Sequence, residues 1–408
     1  MAVQLDQTAT STSRREPVQL YHQSSQYRNW RFSKEQLDKI RQDLNEQAVE
    51  RVRTLWEEER AQQAQTESTG DRPAATADGS TSEPPSQPAT PPAPADIEYL
   101  SVADEQLLVA YYLQQAVGLC GAFKFPEMVT ATALSYLKRF YLRNTAMDYH
   151  PKDIMLTCVF LATKTENFAI SIDTFAAKVK VLPADILALE FLVSQSLHFE
   201  YKVHHAHLAL SGLVLDMQTT GVPSSSIASA LPRAQAFLRA ARLSPAELVY
   251  APSQIALACM RLADRSAVET WLAAKAKGVS EQKEEREARR APAGPASAVK
   301  KEGEEGEGAP RAAGGEDKGD EPQQLEQDVL LRLLDEVQGM IQEQQRNPVD
   351  KDKVREVDRR LKWARNPEKD PKSALYKKRK AEEEAAREEK DRAKMAKRPQ
   401  NDDASVFD

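Results

Sequence analysis

Two apolar runs, Pro151 to Ala162 and Ile186 to Leu197, constrain this chain more than any other feature. In the first, Ile154, Met155, Leu156, Cys158, Val159, Phe160, Leu161 and Ala162 are apolar on every side of a helical wheel, so the helix they form must be covered all round. The run is too short to cross a bilayer. It therefore predicts the central helix of an all-α domain, with other helices packed about it. The second run is equally apolar but carries Glu190 between Leu189 and Phe191, and Lys164 emerges just past the first. Charges at the edges of two buried helices need partners, because an unpaired buried ion costs several kcal/mol. One reading pairs Lys164 with Glu190 and offers them to another backbone as a docking point. The other has Lys164 snorkel and Glu190 reach solvent. The residues alone leave both open.

Before these runs, Tyr21, Tyr27, Trp30 and Phe32 precede a helix start in which Ser33 and Gln36 have capping-box spacing and Phe32 and Leu37 that of a hydrophobic staple. Leu37, Ile40, Leu44, Ala48, Val52, Leu55 and Trp56 then recur at helical intervals, predicting an amphipathic helix whose face lies on the chain's own core or on a partner. Gln62 to Ala95 is rich in Ser, Thr, Pro, Gly, Ala and Gln and reads as a disordered linker. A helix follows with Ser101 and Asp104 as cap pair and Gly118 or Gly121 as its end. Pro126 opens the next, with Val129, Ala133, Tyr136, Leu137, Phe140 and Tyr141 on one side and Lys138, Arg139 and Arg143 on the other. Pro151 and Pro183 fit first-turn positions.

After Phe199 the pattern begins again. Pro151, Ile154, Leu156, Cys158, Leu161 and Ala162 match Pro252, Ile255, Leu257, Cys259, Leu262 and Ala263 at one fixed offset, which favours duplication of a helical unit. Arg261 stands where the first copy has Phe160, so the second central helix keeps a polar side. Helices are expected over Ala206 to Met217 and Pro232 to Leu243, and Ser244 and Glu247 have capping-box spacing around Pro245. Glu281 to Glu321 is charged and Gly-rich and reads as a disordered insertion. Periodicity returns with Leu325, Val329, Leu333, Val337 and Met340, breaks at Asn347-Pro348, and resumes with Val354, Val357, Leu361 and Ala364. The tail from Lys372 to Lys397 is a solvated helix or disordered, and Lys377-Lys378-Arg379-Lys380 within it has the form of a nuclear import signal.

Catalytic signatures are absent: there is no Gly-rich phosphate loop ending in Lys-Ser or Lys-Thr, no His-Glu-x-x-His, no Gly-x-Ser-x-Gly, no Cys-x-x-Cys and no kinase motif. His204, His205 and His207 lack a thiolate or carboxylate at a fitting interval and are read as surface or helix-start histidines, with no metal expected. Cys120, Cys158 and Cys259 are widely spaced; with no secretory signal in evidence they are expected as reduced core thiols. A binding protein rather than an enzyme is expected, with no cofactor.

Leu161-Ala162-Thr163-Lys164-Thr165-Glu166, followed by Ile186-Leu187-Ala188-Leu189-Glu190-Phe191-Leu192, resembles the core of a cyclin box, the repeated five-helix unit of the cyclin family. Four further stretches are similar to transcriptional members of that family. They are Tyr21-His22-Gln23-Ser24-Ser25-Gln26 with Trp30 and Phe32; Lys138-Arg139-Phe140-Tyr141-Leu142; Tyr149-His150-Pro151 with Ile154-Met155-Leu156-Thr157-Cys158; and Tyr250-Ala251-Pro252-Ser253-Gln254-Ile255-Ala256-Leu257. The resemblance implies an all-α fold of two tandem cyclin-box repeats with flanking N- and C-terminal helices and disordered insertions. The expected boundaries are an N-terminal segment 1–32, a helix 33–61, a linker 62–96, a first repeat 97–201, a second repeat 202–345 interrupted by 280–322, a helix 346–366 and a charged tail 367–408.

The same resemblance gives Lys164 and Glu190 a role in contacting a kinase's loop and the start of its mobile regulatory helix, with Phe168 and Phe191 as flanking apolar docking residues. It implies a cyclin-dependent kinase catalytic subunit as partner, with a MAT-type assembly factor and the TFIIH complex, in the nucleus, and no direct nucleic-acid or membrane contact. The expected function is non-catalytic activation of a CDK-activating kinase directed at the RNA polymerase II C-terminal repeat and at cell-cycle kinases. Rivals are another transcriptional cyclin, such as cyclin C of the Mediator kinase module, and a TFIIB-like double cyclin-fold DNA-binding factor. The chain departs from the family's pattern in three respects. Many cyclins carry two acidic residues after the lysine, and Thr165-Glu166-Asn167 supplies one; the linker after the N-terminal helix and the Glu281 to Glu321 insertion have no counterpart in the family; and the second half resembles it only patchily before Tyr250.

Overall fold

A computed structural model describes residues 20–68, 97–290 and 321–396. Among them run fourteen α-helices and no strand: α1 (Ser25–Asn29), α2 (Lys34–Ser68), α3 (Val102–Phe123), α4 (Glu127–Phe140), α5 (Pro151–Thr165), α6 (Ile172–Val179), α7 (Pro183–Ser196), α8 (Ala206–Thr219), α9 (Ser224–Ala241), α10 (Pro252–Ala263), α11 (Arg265–Arg290), α12 (Glu321–Arg346), α13 (Lys351–Ala364) and α14 (Ala374–Ala396). Helices α2, α11 and α12 extend into the segments expected as linker and insertion, so residues 62–68, 280–290 and 321–322 are helical. The remainder of 62–96 and 280–322 lies outside the described residues, as do 1–19 and 397–408. The chain divides into two compact units, Phe32–Tyr201 with Val349–Asp408, and Met1–Arg31 with Lys202–Pro348.

In the unit containing α2 to α7, α13 and α14, helix α5 is the centre. His150 caps it, its Nδ1 accepting from Lys152 N at 3.1 Å, and Pro151 takes the first helical position. Pro151 and every residue from Ile154 to Thr163 are buried, against α3, α4 and α7. Each large aliphatic or aromatic side chain so covered stabilises the fold by about 1.5–3 kcal/mol. The helix ends in a Schellman motif: Asn167 sits at φ 55°, and Phe168 N donates to Thr163 O at 2.8 Å. Helix α3 opens on the Ser101–Asp104 capping box but runs past Gly118 and Gly121 to Phe123, where Lys124 takes the left-handed turn at φ 56°. Neither glycine is needed as a terminator, because Phe125 and Pro126 already stop the helix. Helix α4 has no polar side. Lys138 and Arg139, expected on one, are 7% and 2% exposed. Almost the whole of α4 is covered, and Arg139 Nη1 reaches Glu200 O at 3.3 Å.

Helices α2, α13 and α14 brace this unit. Ser33 and Gln36 make the expected reciprocal cap, at 2.8 and 3.1 Å, and Ala48 and Val52 join Leu100, Leu108, Val354, Val357, Leu361 and Ala364 in one apolar cluster. Asn45 Nδ2 donates to Leu100 O at 2.8 Å, and Trp56 Nε1 to Arg365 O at 3.2 Å. Glu59, only 2% exposed, caps α14: it accepts from Ser373 Oγ at 2.7 Å, Ala374 N at 3.0 Å and Leu375 N at 2.7 Å. A carboxylate at the positive end of a helix is favourably placed.

The second unit repeats the plan around α10, whose Ile255, Leu257, Cys259 and Ala263 are buried as their counterparts are in α5. Arg261, in the place of Phe160, is 7% exposed and pairs with Asp335 of α12. Gln26 of α1 holds the backbone of His204 at both ends, accepting from its N at 2.7 Å and donating to its O at 3.2 Å. Helix α9 starts at Ser224, and Pro232, expected to begin it, lies inside. The buried stripe Ile227, Ala230, Ala234, Leu238 and Ala241 outweighs the roughly 3 kcal/mol that an internal proline costs. After Ser244 comes a single 3₁₀ turn, Pro245–Leu248, in which Ser244 accepts from Ala246 N, in place of the expected capping box. All three cysteines are free and buried; burial pushes the Cys120 thiol up to about 11 and that of Cys259 to about 12.

Candidate functional site

Helix α7 departs from what its composition predicts. Ile186, Val193 and Leu197 point inward, but Leu187 is 44% and Phe191 69% exposed, and Leu182 at its N-cap is 67% exposed. One stripe is enough to anchor a helix of this length, so the rest of the apolar run faces outward. Lys164 and Glu190 are accordingly not interior charges. Their side chains are 41% and 23% exposed, and Lys164 Nζ meets Glu190 Oε1 at 2.6 Å. Lys164 Nζ also lies 4.5 Å from the centroid of the Phe160 ring, a cation–π contact that fixes its stem.

An ion pair this open contributes about 0–1 kcal/mol to stability. Its geometry, however, is held firmly. The Schellman turn ends α5 one residue after Thr165, and Tyr136 Oη donates to Tyr201 O at 2.7 Å and meets Thr165 Oγ1 at 3.0 Å. Glu166, the one acidic residue after the lysine, is turned inward: Thr132 Oγ1 donates to its Oε1 at 2.5 Å. Phe168 is 44% exposed at the end of α5, with its ring against Phe125 at 5.7 Å. Past α7 both His198 and Phe199 hold positive φ, 53° and 58°, an arrangement that presents Phe199, 53% exposed, 6.1 Å from the Phe191 ring.

The structure thus brings Lys164 and Glu190 into contact, and exposes both Phe168 and Phe191. Leu182, Leu187 and Phe199 belong to the same set of outward apolar residues and were not legible as such. The available signal was the excess of apolar residues in α7 over the single stripe that its packing needs. Elsewhere, the rings of His205 and His207 stack at 5.4 Å and that of His204 meets Tyr21 edge-on at 5.7 Å. Among the described residues no three His, Cys, Asp or Glu side chains are grouped to hold a metal, and no helix is long and apolar enough to cross a membrane.

Comparison with known proteins agrees with this architecture. The family description "Cyclin, N-terminal domain" matches residues 109–202 and "Cyclin C-terminal domain" residues 205–342. Cyclin CCL1 of Saccharomyces cerevisiae is 31% identical over 259 residues, which is 63% of this chain and 61% of that protein. The putative cyclin-H of Dictyostelium discoideum is 30% identical over 250 residues, 59% of this chain and 75% of that protein. The chain thus spans less than two thirds of CCL1 and three quarters of the Dictyostelium protein. Among solved structures, a chain of the CAK complex from Chaetomium thermophilum bound to ATP-γ-S has the same fold, with a TM-score of 0.60 at 23% identity, over 95% of this chain and 98% of that one. With two tandem repeats, each built on a buried central helix, and relatives of this kind, the chain belongs to the cyclin family, in its cyclin H branch.

Proposed function

We propose that this chain is the non-catalytic regulatory subunit of a cyclin-dependent kinase, the two together forming a CDK-activating kinase associated with TFIIH. The observation that carries the reading is the outward apolar surface of α7 around a preformed Lys164–Glu190 pair. Exposed large apolar residues on rigid helices, with a fixed polar pair among them, have the composition of an interface centre. Phe168, Leu187 and Phe191 supply the area a partner covers, while Lys164 and Glu190 fix its register by hydrogen bonds to kinase backbone.

Binding here holds the kinase's regulatory helix inward, so that the kinase's own Lys–Glu pair and magnesium site assemble. Activation is then a population shift whose size equals the difference in this surface's affinity for the active and inactive kinase. On this reading a MAT-type assembly factor completes the complex, and its targets are the RNA polymerase II C-terminal repeat and the activation loops of cell-cycle kinases. A nuclear location follows from that role, with Lys377-Lys378-Arg379-Lys380 on α14 as the import signal.

The cyclin H reading is preferred over cyclin C because the relatives named for cyclin H match at higher identity. Affinity purification of the full chain, followed by identification of the kinase retained, is the direct test. Replacing Lys164 and Glu190 together by Ala weakens retention at least about tenfold, or 1.4 kcal/mol, with the melting temperature unchanged. Undiminished retention removes the pair from the interface.

A further inference from the structure

The unit built on α5 carries a concave region at the end of that helix opposite the Lys164–Glu190 pair. His150 caps the start of α5 and Lys164 stands near its end, about 20 Å away along the axis. Beside His150 opens a cavity of about 610 Å³, walled by α2, α13 and the chain that follows α13. Its lining contains Arg355, Arg359, Lys362, Arg365 and Lys372 against two carboxylates, Asp358 and Asp370. In a chain of net charge −6 this is a local reversal of sign.

Both carboxylates are already engaged. His150 Nδ1 accepts from Lys152 N, so Nε2 carries the ring hydrogen and donates it to Asp358 Oδ1 at 2.8 Å. Asp370 Oδ1 accepts from Lys372 N at 3.0 Å. The cations are engaged weakly or not at all. Arg355 and Arg359 make only exposed pairs one turn away, with Asp352 and Glu356, and exposed pairs of this kind are weak. Lys362, Arg365 and Lys372 enter no ion pair among the described residues. Arg355, Arg359 and Lys362 follow one another at four and three residues on α13, which sets them roughly 6 and 4.5 Å apart along its axis. The first of these spacings is close to the roughly 6.6 Å between alternate side chains on one face of an extended peptide, and the second is shorter.

We propose that this cavity is a docking site for an extended acidic peptide segment of a partner protein. Its carboxylates pair with Lys362, Arg365 and Lys372, and an apolar side chain between them lies against Trp56 and Trp363. The volume falls within the roughly 300–1,000 Å³ of sites that enclose a few residues or a small ligand. Single-stranded nucleic acid fits less well, because it needs open aromatic faces for stacking. Both indoles are half-buried; Trp56 is tied through its N–H to Arg365 O, and Lys362 Nζ already lies 5.2 Å from the Trp363 ring.

The test uses the full chain and a fluorescein-labelled octaglutamate peptide, followed by fluorescence anisotropy at low and physiological salt. K362E/K372E weakens binding at least about tenfold, while K39E/K202E, an equal change of charge at exposed positions elsewhere, leaves it within about twofold. If the charge reversal disturbs folding, seen as a lowered melting temperature, K362Q/K372Q carries the test with a loss of at least about threefold. Equal losses in the two reversed pairs, or no binding by the wild-type chain, overturn the proposal. So does tighter binding of an oligothymidylate 12-mer that K362E/K372E abolishes, which would make the cavity a nucleic-acid site.

Discussion

Glu105 offers a quantitative test of how the terminal helix α2 is held to the first repeat. It lies on α3 where α2 and the turn at Ala146 meet, its Oε1 has no hydrogen-bond partner, and its carboxyl is pushed up to about 7. Burial is the main cause. The Asn45 side chain and the Ala146 N–H oppose it, and the neighbouring charges of Asp148 and Asp104 add to it. A carboxyl raised in the folded state binds its proton more tightly there than in the unfolded chain. Its contribution is therefore fully present below the usual carboxylate value and is lost as pH rises through about 7. From an ordinary 4.5 to about 7 the difference amounts to about 3 kcal/mol.

Glu105→Gln keeps the shape and removes the charge. The variant is expected to match wild type near pH 5 and to exceed it by about 2–3 kcal/mol at pH 8, or about 4–10 °C in melting temperature for a unit of this size. Every other group is common to both proteins and cancels in the difference. Asp104 does not confuse the window. Burial would raise its carboxyl, but hydrogen bonds from Ser101 and Arg360 outweigh that and hold it below the usual range, so its contribution changes only in acid. Melting curves by circular dichroism at pH 5, 6.5 and 8 give the comparison. A gap that does not widen with pH, or a variant less stable at pH 8, refutes the reasoning.

Three further perturbations follow from the packing. Phe191→Ala removes a ring 69% exposed in the free chain; if docking covers it, kinase affinity falls by about 2–3 kcal/mol, at least about thirtyfold, and a titration showing less than threefold loss takes Phe191 out of the interface. Glu59→Gln weakens a charged cap and is expected to cost about 1–2 kcal/mol. It should raise amide exchange in the first turn of α14, and unchanged protection there counts against the cap. Gln26→Ala releases both backbone groups of His204, and is expected to cost about 2–3 kcal/mol and expose Tyr21 to Trp30 to limited proteolysis, whereas an unaltered digestion pattern means that the amide clamp holds nothing.

What the sequence shows of this fold depends on whether local chemistry or distant packing decides each residue. The capping pairs at Ser33 and Ser101, the proline starts of α5, α7 and α10, and the duplicated stripe of α10 are local, and all stand in the structure as their spacing predicts. The end of α3 does not, because a lysine in the left-handed region replaced the expected glycine. Pro232 misled because a buried stripe outweighs propensity, and Lys138 and Arg139 because α4 is covered on the side where periodicity puts polar residues. The candidate site was legible as two odd charges. That they lie together on an exposed apolar surface is set by how little of α7 the rest of the unit covers, which no window of sequence records.

The Glu59 cap has a consequence for synthesis. Leu375, whose amide it receives, lies 316 residues further on, so at about 5–20 residues per second the ribosome delivers it some 15–60 s after Glu59. Throughout that interval the carboxylate has no helix end to hold, and Ala48 and Val52 on the apolar side of α2 lack the Val354, Val357, Leu361 and Ala364 of α13 that share their cluster. A nascent chain in this state resembles a released subunit with its hydrophobic surface open. Cells making it are expected to hold α2 on a chaperone until α13 and α14 have been synthesised.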